Sequence, residues 1–131
     1  MNYLCDTNVL SEAMKRQPAP KVTQWLSAQE LVYVSVITVE EIYCGLAYKE
    51  TPKQREWFEK FLRFGSEVLP VTLAIAKRCG ELRGNFRKKG VVRTQADLLI
   101  AATAYEHNLT LATRNTRDFE DCDIQLFNPF E

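Results

Sequence analysis

The sequence predicts a single α/β domain over residues 1–131, with a short, mainly parallel central sheet flanked by helices. Three observations indicate this class. Short apolar segments typical of strands alternate with longer segments of helical periodicity, and no repeat, low-complexity run or linker interrupts them. The length of 131 residues, with 46% hydrophobic and 26% charged residues, is ordinary for one globular domain.

Four segments are short, apolar and bounded by polar or turn residues, as buried strands are. They are residues 3–5, 31–36, 109–112 and 124–127. Because helical segments separate them, crossover connections favour parallel pairing with helices on both faces of the sheet.

Four segments have helical patterns. Apolar residues at positions 39, 42, 43, 46 and 47 form one stripe, and those at positions 57, 58, 61 and 62 form a second. Residues 73–86 suggest a third helix. Residues 96–105 are apolar almost all round, so we expect this helix to be buried.

Composition restricts the function classes. No apolar run approaches the roughly 20 residues that span a bilayer, and the start, MNYLCDTN, lacks a signal-peptide pattern, so we expect a cytoplasmic protein with no membrane partner. The four cysteines form no CxxC pair and mostly lie inside apolar segments, which favours reduced, buried thiols. With one histidine, a catalytic metal would need oxygen ligands, which suits Mg²⁺ or Mn²⁺.

The charge is uneven although its formal sum is zero. Residues 77–93 contain seven basic residues and one acid, a local charge of +6. This stretch could be the solvated face of a helix or a surface that attracts phosphate.

Three acidic residues follow strands or begin helices. Ligands of open parallel sheets bind at the carboxyl ends of the strands, where such residues would meet. Asp6 follows the first strand, and Glu41 comes about one helical turn after the second. Gly45 lies one turn beyond Glu41 on the same face and leaves space beside it. Asp97 begins the buried helix.

Each acid also has a structural interpretation. Asp6 could be an ordinary N-cap. Thr38 with Glu41, and Thr94 with Asp97, have the spacing of capping boxes. Crowded carboxylates, however, raise one another's pKa and favour a bound cation. Mg²⁺ shares its coordination sphere with substrate phosphates, so such a cluster would suit a phosphodiester.

Four motifs carry a family resemblance: YLCDTNVL, SVITVEEIYCG, QADLLIAATA and LATRNTRDF. In this order and spacing the chain resembles PIN-domain ribonucleases, in particular the VapC-type toxins of bacterial toxin–antitoxin pairs and their FitB-like relatives. The resemblance implies that Asp6, Glu41 and Asp97 are catalytic and bind metal. The fourth acidic position is Asn115 or Asp118, and we favour Asp118 because an amide binds metal poorly.

The resemblance also implies a function. The protein would be a Mg²⁺- or Mn²⁺-dependent endoribonuclease that hydrolyses RNA with one or two metal ions. It would form a homodimer and be neutralised by a VapB-like antitoxin. Neighbouring polar residues are expected to support the site, and flanking arginines to bind RNA. The supporting residues are Thr7, Asn8, Ser35, Thr113 and Asn115, and the arginines are Arg93, Arg114 and Arg117.

Two other functions fit parts of the sequence. A phosphatase of the haloacid-dehalogenase kind also begins with an aspartate after an apolar strand, but it needs a second acid two residues later, where this chain has Asn8. A non-catalytic module would bind operator DNA together with an antitoxin-like partner, and its acids would only cap helices.

Overall fold

A computed structural model of the protein describes residues 1–49 and 51–131. The elements, in chain order, are β1 (Tyr3–Cys5), α1 (Thr7–Ala13), α2 (Pro20–Ser27), β2 (Val32–Ser35), α3 (Val36–Tyr48), α4 (Pro52–Phe64), β3 (Ser66–Leu69), α5 (Leu73–Lys88), α6 (Gln95–Glu106), β4 (Thr110–Ala112), a 3₁₀ segment (Thr116–Cys122) and β5 (Leu126–Phe127). Among these helices, none combines the length and the apolar character needed to cross a bilayer.

The five strands form one sheet in the order β3-β2-β1-β4-β5, and each neighbouring pair is parallel. β1 is central, with Leu4 opposite Tyr33 on one side and Leu111 on the other. This confirms the predicted α/β class with a short parallel sheet flanked by helices. All carboxyl ends of the strands therefore lie along one edge.

The core is divided between the two faces of the sheet, because successive strand residues point to opposite sides. Leu4 packs into a cluster with residues of α5 and α6, such as Leu98. Cys5 packs on the other face with residues of α1 to α4, such as Val9 and Phe58. Helices on both sides thus fix the plane from which the strand ends project.

The predicted strands are all present, with bounds that differ by at most two residues. β3 was not predicted, because it is an edge strand whose Glu67 and Val68 are exposed and only Leu69 is buried. The buried helix was predicted correctly as α6, in which Leu98 and residues 100–104 are buried.

All four cysteines are free. Cys5, Cys79 and Cys122 are buried as expected, whereas Cys44 is exposed, which corrects the prediction at that position. It falls between the core-facing residues of α3 and so faces solvent. Burial raises the pKa of Cys122 to about 11 and that of Cys5 further, which keeps both thiols protonated.

Candidate active site

Asp6 lies at the carboxyl end of β1 and is only 4% exposed. It is the N-cap of α1, and its Oδ1 accepts a hydrogen bond from the Thr7 N–H at 2.8 Å. Its Oδ2 accepts one from the Thr113 hydroxyl at 2.8 Å and another from Asn8 Nδ2 at 3.3 Å. The capping interpretation is therefore correct, and the same carboxylate is also the centre of a polar network between β1 and β4.

Burial raises the pKa of Asp6 from 3.8 to about 6. The hydrogen bonds from Thr113 and Thr7 oppose this rise, and the negative charges of Asp97 and Glu41 add to it. The three acids therefore lie within electrostatic range of one another. An environment of this kind favours a cation beside the Asp6 carboxylate.

Glu41 is held toward β1 by Thr7. The Thr7 hydroxyl donates to Glu41 Oε1 at 2.6 Å and lies 3.2 Å from the hydroxyl of Thr38. The capping box suggested for Thr38 and Glu41 is wrong. Ser35 caps α3 by accepting from the Ile37 N–H at 3.0 Å, so the helix begins before Thr38.

A cavity of about 270 Å³ lies beside Glu41. Gly45 lines it, and a side chain at that position would meet no atom within 4 Å. The prediction that Gly45 leaves open space next to Glu41 is thus confirmed. This space gives a ligand access to the carboxylate from the α3 side.

Asp97 is the third residue of α6 and is half-buried. Its N–H donates to the Thr94 hydroxyl at 3.1 Å, so this half of the predicted capping box is present. Within the described part of the chain, the Asp97 carboxylate itself accepts no hydrogen bond. It therefore remains available for another ligand.

The donor set consists of carboxylate and hydroxyl oxygens, which suits Mg²⁺ or Mn²⁺. Across residues 1–49 and 51–131, however, no three acidic, cysteine or histidine side chains form a preformed metal site. Asp6, Glu41 and Asp97 are near one another without sharing one coordination sphere. An ion at this edge would therefore contact fewer than all three of these carboxylates directly. It would keep water molecules at its other coordination positions, as Mg²⁺ commonly does.

The two candidates for the fourth position differ in environment. Asp118 is half-buried, and Asn115 is exposed. The backbone of Asp118 is fixed at both ends, since its N–H donates to the Asn115 carbonyl and its carbonyl accepts from Arg93 Nε. No hydrogen bond between described residues links either side chain to Asp6, so the choice between them stays a prediction.

The supporting residues have different roles. The Thr113 hydroxyl binds Asp6 and accepts from the Asn115 N–H at 3.1 Å. Asn8 Oδ1 accepts from the Arg114 N–H at 3.2 Å and so joins α1 to the segment after β4. Ser35 only caps α3. Thr38 was missed as a site residue, although a polar residue just after a strand, on the buried side of its helix, is a detectable signal.

The three predicted RNA-binding arginines have different surroundings. The guanidinium of Arg93 lies 5.4 Å from the Phe86 ring, and that of Arg114 lies 4.8 Å from the Phe130 ring. Arg117 is exposed. Arg93 and Arg114 therefore each contact an aromatic ring, although Arg114 is exposed like Arg117.

The fold and this edge can now be compared with known proteins. The PIN domain family matches residues 3–124. The chain belongs to this family. The match covers nearly all of the chain, so this PIN domain includes both the sheet and the acidic edge.

Three relatives of this PIN domain are similar over almost their whole length. Plasmid stability protein StbB of Pseudomonas syringae pv. tomato is 38% identical, with 98% of each chain covered. VapC ribonuclease Y4jK of Sinorhizobium fredii is 37% identical, with 96% of each covered. Toxin FitB of Neisseria gonorrhoeae is 36% identical, with 97% of each covered.

A solved structure from the same organism as Toxin FitB is also similar to this chain. The crystal structure of FitAcB from Neisseria gonorrhoeae has a TM-score of 0.84 at 36% identity, covering 98% of this chain and 99% of that one. A TM-score of this size over nearly the whole of both chains shows that the two proteins share one fold.

Proposed function

We propose that this PIN domain is a Mg²⁺- or Mn²⁺-dependent endoribonuclease that hydrolyses RNA phosphodiesters, and that it is the toxin of a VapBC-type toxin–antitoxin pair. The names of the relatives, VapC ribonuclease and Toxin FitB, support the activity and the role. The single observation that carries the proposal is the position of Glu41. Thr7 holds it toward the buried Asp6, whose pKa is raised to about 6 mainly by burial and further by the charges of Asp97 and Glu41.

Asp6, Glu41, Asp97 and Asp118 would hold the metal together, some by direct contact and the others through its bound water molecules. A bound ion would supply Lewis-acid chemistry, polarising the scissile phosphate and lowering the pKa of a bound water molecule. The oxygen-only donor set and the raised pKa of Asp6 support this assignment.

The other residues of the site orient the carboxylates or attract the RNA. Thr113 and the Thr7 N–H fix the Asp6 carboxylate, and the Thr7 hydroxyl fixes Glu41. Arg93, Arg114 and Arg117 would attract the RNA backbone. Cleavage should therefore weaken as the salt concentration rises.

A toxin requires a neutralising partner, and we propose that a VapB-like antitoxin binds this chain. We also propose that this chain forms a homodimer in the cytoplasm. Large exposed apolar residues support a protein interface. Tyr48 at the end of α3 is 92% exposed, and Phe64 at the end of α4 is 75% exposed.

The activity is tested by incubating the purified protein with RNA in Mg²⁺, in Mn²⁺ and in excess chelator. We expect cleavage with either metal, none with chelator, and none by Asp6→Asn. Asp123→Asn is the matched control. Asp123 is exposed, and its φ of 58° is a conformation that asparagine tolerates well.

Loss of cleavage in both variants would indicate a general effect of removing a charge and would contradict the assignment of Asp6. Absence of cleavage by the unmodified protein under every metal condition would favour the non-catalytic module. In that case the protein and its antitoxin would still shift operator DNA in a gel.

A further inference from the structure

A basic pocket lies between the end of α5 and the segment that leads into α6. It encloses about 300 Å³ and is lined by Arg83, Arg87, Gly90, Val91, Val92 and Arg93. Gly90 has a φ of +74°, which favours glycine, so the chain turns back here. This turn places Arg93 on the same cavity as the two arginines of α5.

The charges of this arginine pocket are not neutralised by acids. The ion pairs between side chains of residues 1–49 and 51–131 are Lys15 with Glu12 and Lys60 with Glu56. Neither involves the pocket. Arg83 and Arg87 are exposed on α5. Three positive groups around one cavity repel one another, and an anion between them would relieve that repulsion.

Arg93 connects the arginine pocket to the acidic edge. Its Nε–H donates to the Asp118 carbonyl at 3.1 Å. It directly precedes Thr94, which caps α6 and binds the Asp97 N–H. Arg93 therefore belongs both to the lining of the arginine pocket and to the segment that leads into α6 and Asp97.

The apolar wall of the pocket points to the class of anion. Val92 is 91% exposed, although it is an apolar residue that lines the same cavity as three arginines. Guanidinium groups match phosphate geometry, and the exposed apolar side chain offers van der Waals contact to a ribose. The carboxylates of an acidic peptide would also pair with these arginines, so such a peptide is included in the test.

We propose that the arginine pocket binds the phosphate backbone of single-stranded RNA at nucleotides outside the scissile bond. This rests on the proposed ribonuclease function and adds a substrate-binding site to it. Arg83 and Arg87 are then substrate-binding residues, and they account for part of the basic stretch between Lys77 and Arg93.

The test measures RNA binding without cleavage. Fluorescence anisotropy with a labelled single-stranded RNA of about 12 nucleotides, near the site sizes of single-strand binders, is recorded in chelator on the Asp6→Asn background. Arg83→Gln with Arg87→Gln is compared with Arg16→Gln with Arg63→Gln. The control pair removes two exposed arginines elsewhere on the chain.

We expect the pocket pair to weaken binding about tenfold and to reduce the slope of log K against log salt by about 1.4, which corresponds to two lost phosphate contacts on a single strand. The control pair should bind like its parent. With Asp6 restored, the pocket pair should raise KM for RNA cleavage and leave kcat unchanged.

Equal binding by the two pairs, with RNA cleavage by the unmodified protein intact, would overturn the pocket and leave the proposed function standing. Failure of the unmodified protein to bind or cleave RNA would overturn both. A larger loss for duplex DNA or a polyglutamate peptide than for the RNA would assign the pocket to that ligand and overturn the RNA assignment.

Discussion

The hydroxyl of Thr7 donates a hydrogen bond to Glu41 Oε1 over 2.6 Å and so links the first turn of α1 to α3. The two residues are 34 positions apart in the chain. This contact directs the Glu41 carboxylate toward Asp6. The Asp6 carboxylate in turn accepts a hydrogen bond from the Thr7 N–H. The orientation of Glu41 thus depends on one hydroxyl group.

Thr7→Val should lower RNA cleavage by about tenfold or more, because residues that orient metal ligands typically contribute 10–100-fold. Valine keeps the shape of threonine and removes the donor. Thr7→Ser keeps the donor and should retain most of the activity. Initial rates of cleavage at saturating Mg²⁺ measure the effect, and equal rates for the two variants would refute the role of the hydroxyl.

Asp6 should make the protein less stable as the pH rises from about 4 to above 6. Its pKa is 3.8 ordinarily and about 6 in the folded protein, so the folded state binds the proton more tightly between these values. Stability falls through this window by about 3 kcal/mol at 1.36 kcal/mol per pKa unit.

Asp6→Asn removes that ionisation. We expect the variant to be more stable than the unmodified protein at pH 8 and to lose this advantage below pH 4, while RNA cleavage is abolished. Urea unfolding at several pH values measures the difference. A constant difference across the range would show that ionisation of Asp6 is not the cause.

Gly45 should tolerate alanine but not a large side chain. Gly45→Ala should stabilise the protein by about 1 kcal/mol, because glycine within a helix is unfavourable and the added methyl meets no atom. Gly45→Phe should fill the space beside Glu41 and reduce cleavage about tenfold, a loss of roughly 1.4 kcal/mol in transition-state binding. Gly80, also in open space on a helix, is the matched control, and Gly80→Phe should leave cleavage unchanged.

Asp118→Asn should reduce cleavage more than Asn115→Ala. The reason is chemical, since a carboxylate binds Mg²⁺ and an exposed amide contributes little. Titration of cleavage against Mg²⁺ concentration is the measurement, with a higher metal requirement expected for Asp118→Asn. The reverse order would assign the fourth position to Asn115.

The sequence was sufficient to predict the parts of the site that depend on the order of residues within one segment. Asp6 ends an apolar strand segment, and Asp97 begins an apolar helix, so their placement at one edge follows from a parallel sheet. The open space at Gly45 followed from helical spacing alone. These features need no knowledge of which helix packs against which.

Other parts depended on packing between distant segments. The contact of Thr7 with Glu41 requires the observed approach of α1 to α3, which periodicity does not specify. The capping box at Thr38 was wrong because β2 passes directly into α3, so Ser35 is the cap. The edge strand β3 lacked an apolar pattern because most of its side chains contact solvent.

The pairing of β1 with β4 joins the beginning of the chain to residues near its end. Thr113, which holds Asp6, follows β4 directly. A nascent polypeptide therefore cannot complete this edge until β4 and Thr113 have left the ribosome. The proposed nuclease site would form only after that point in synthesis, however early β1 has been made.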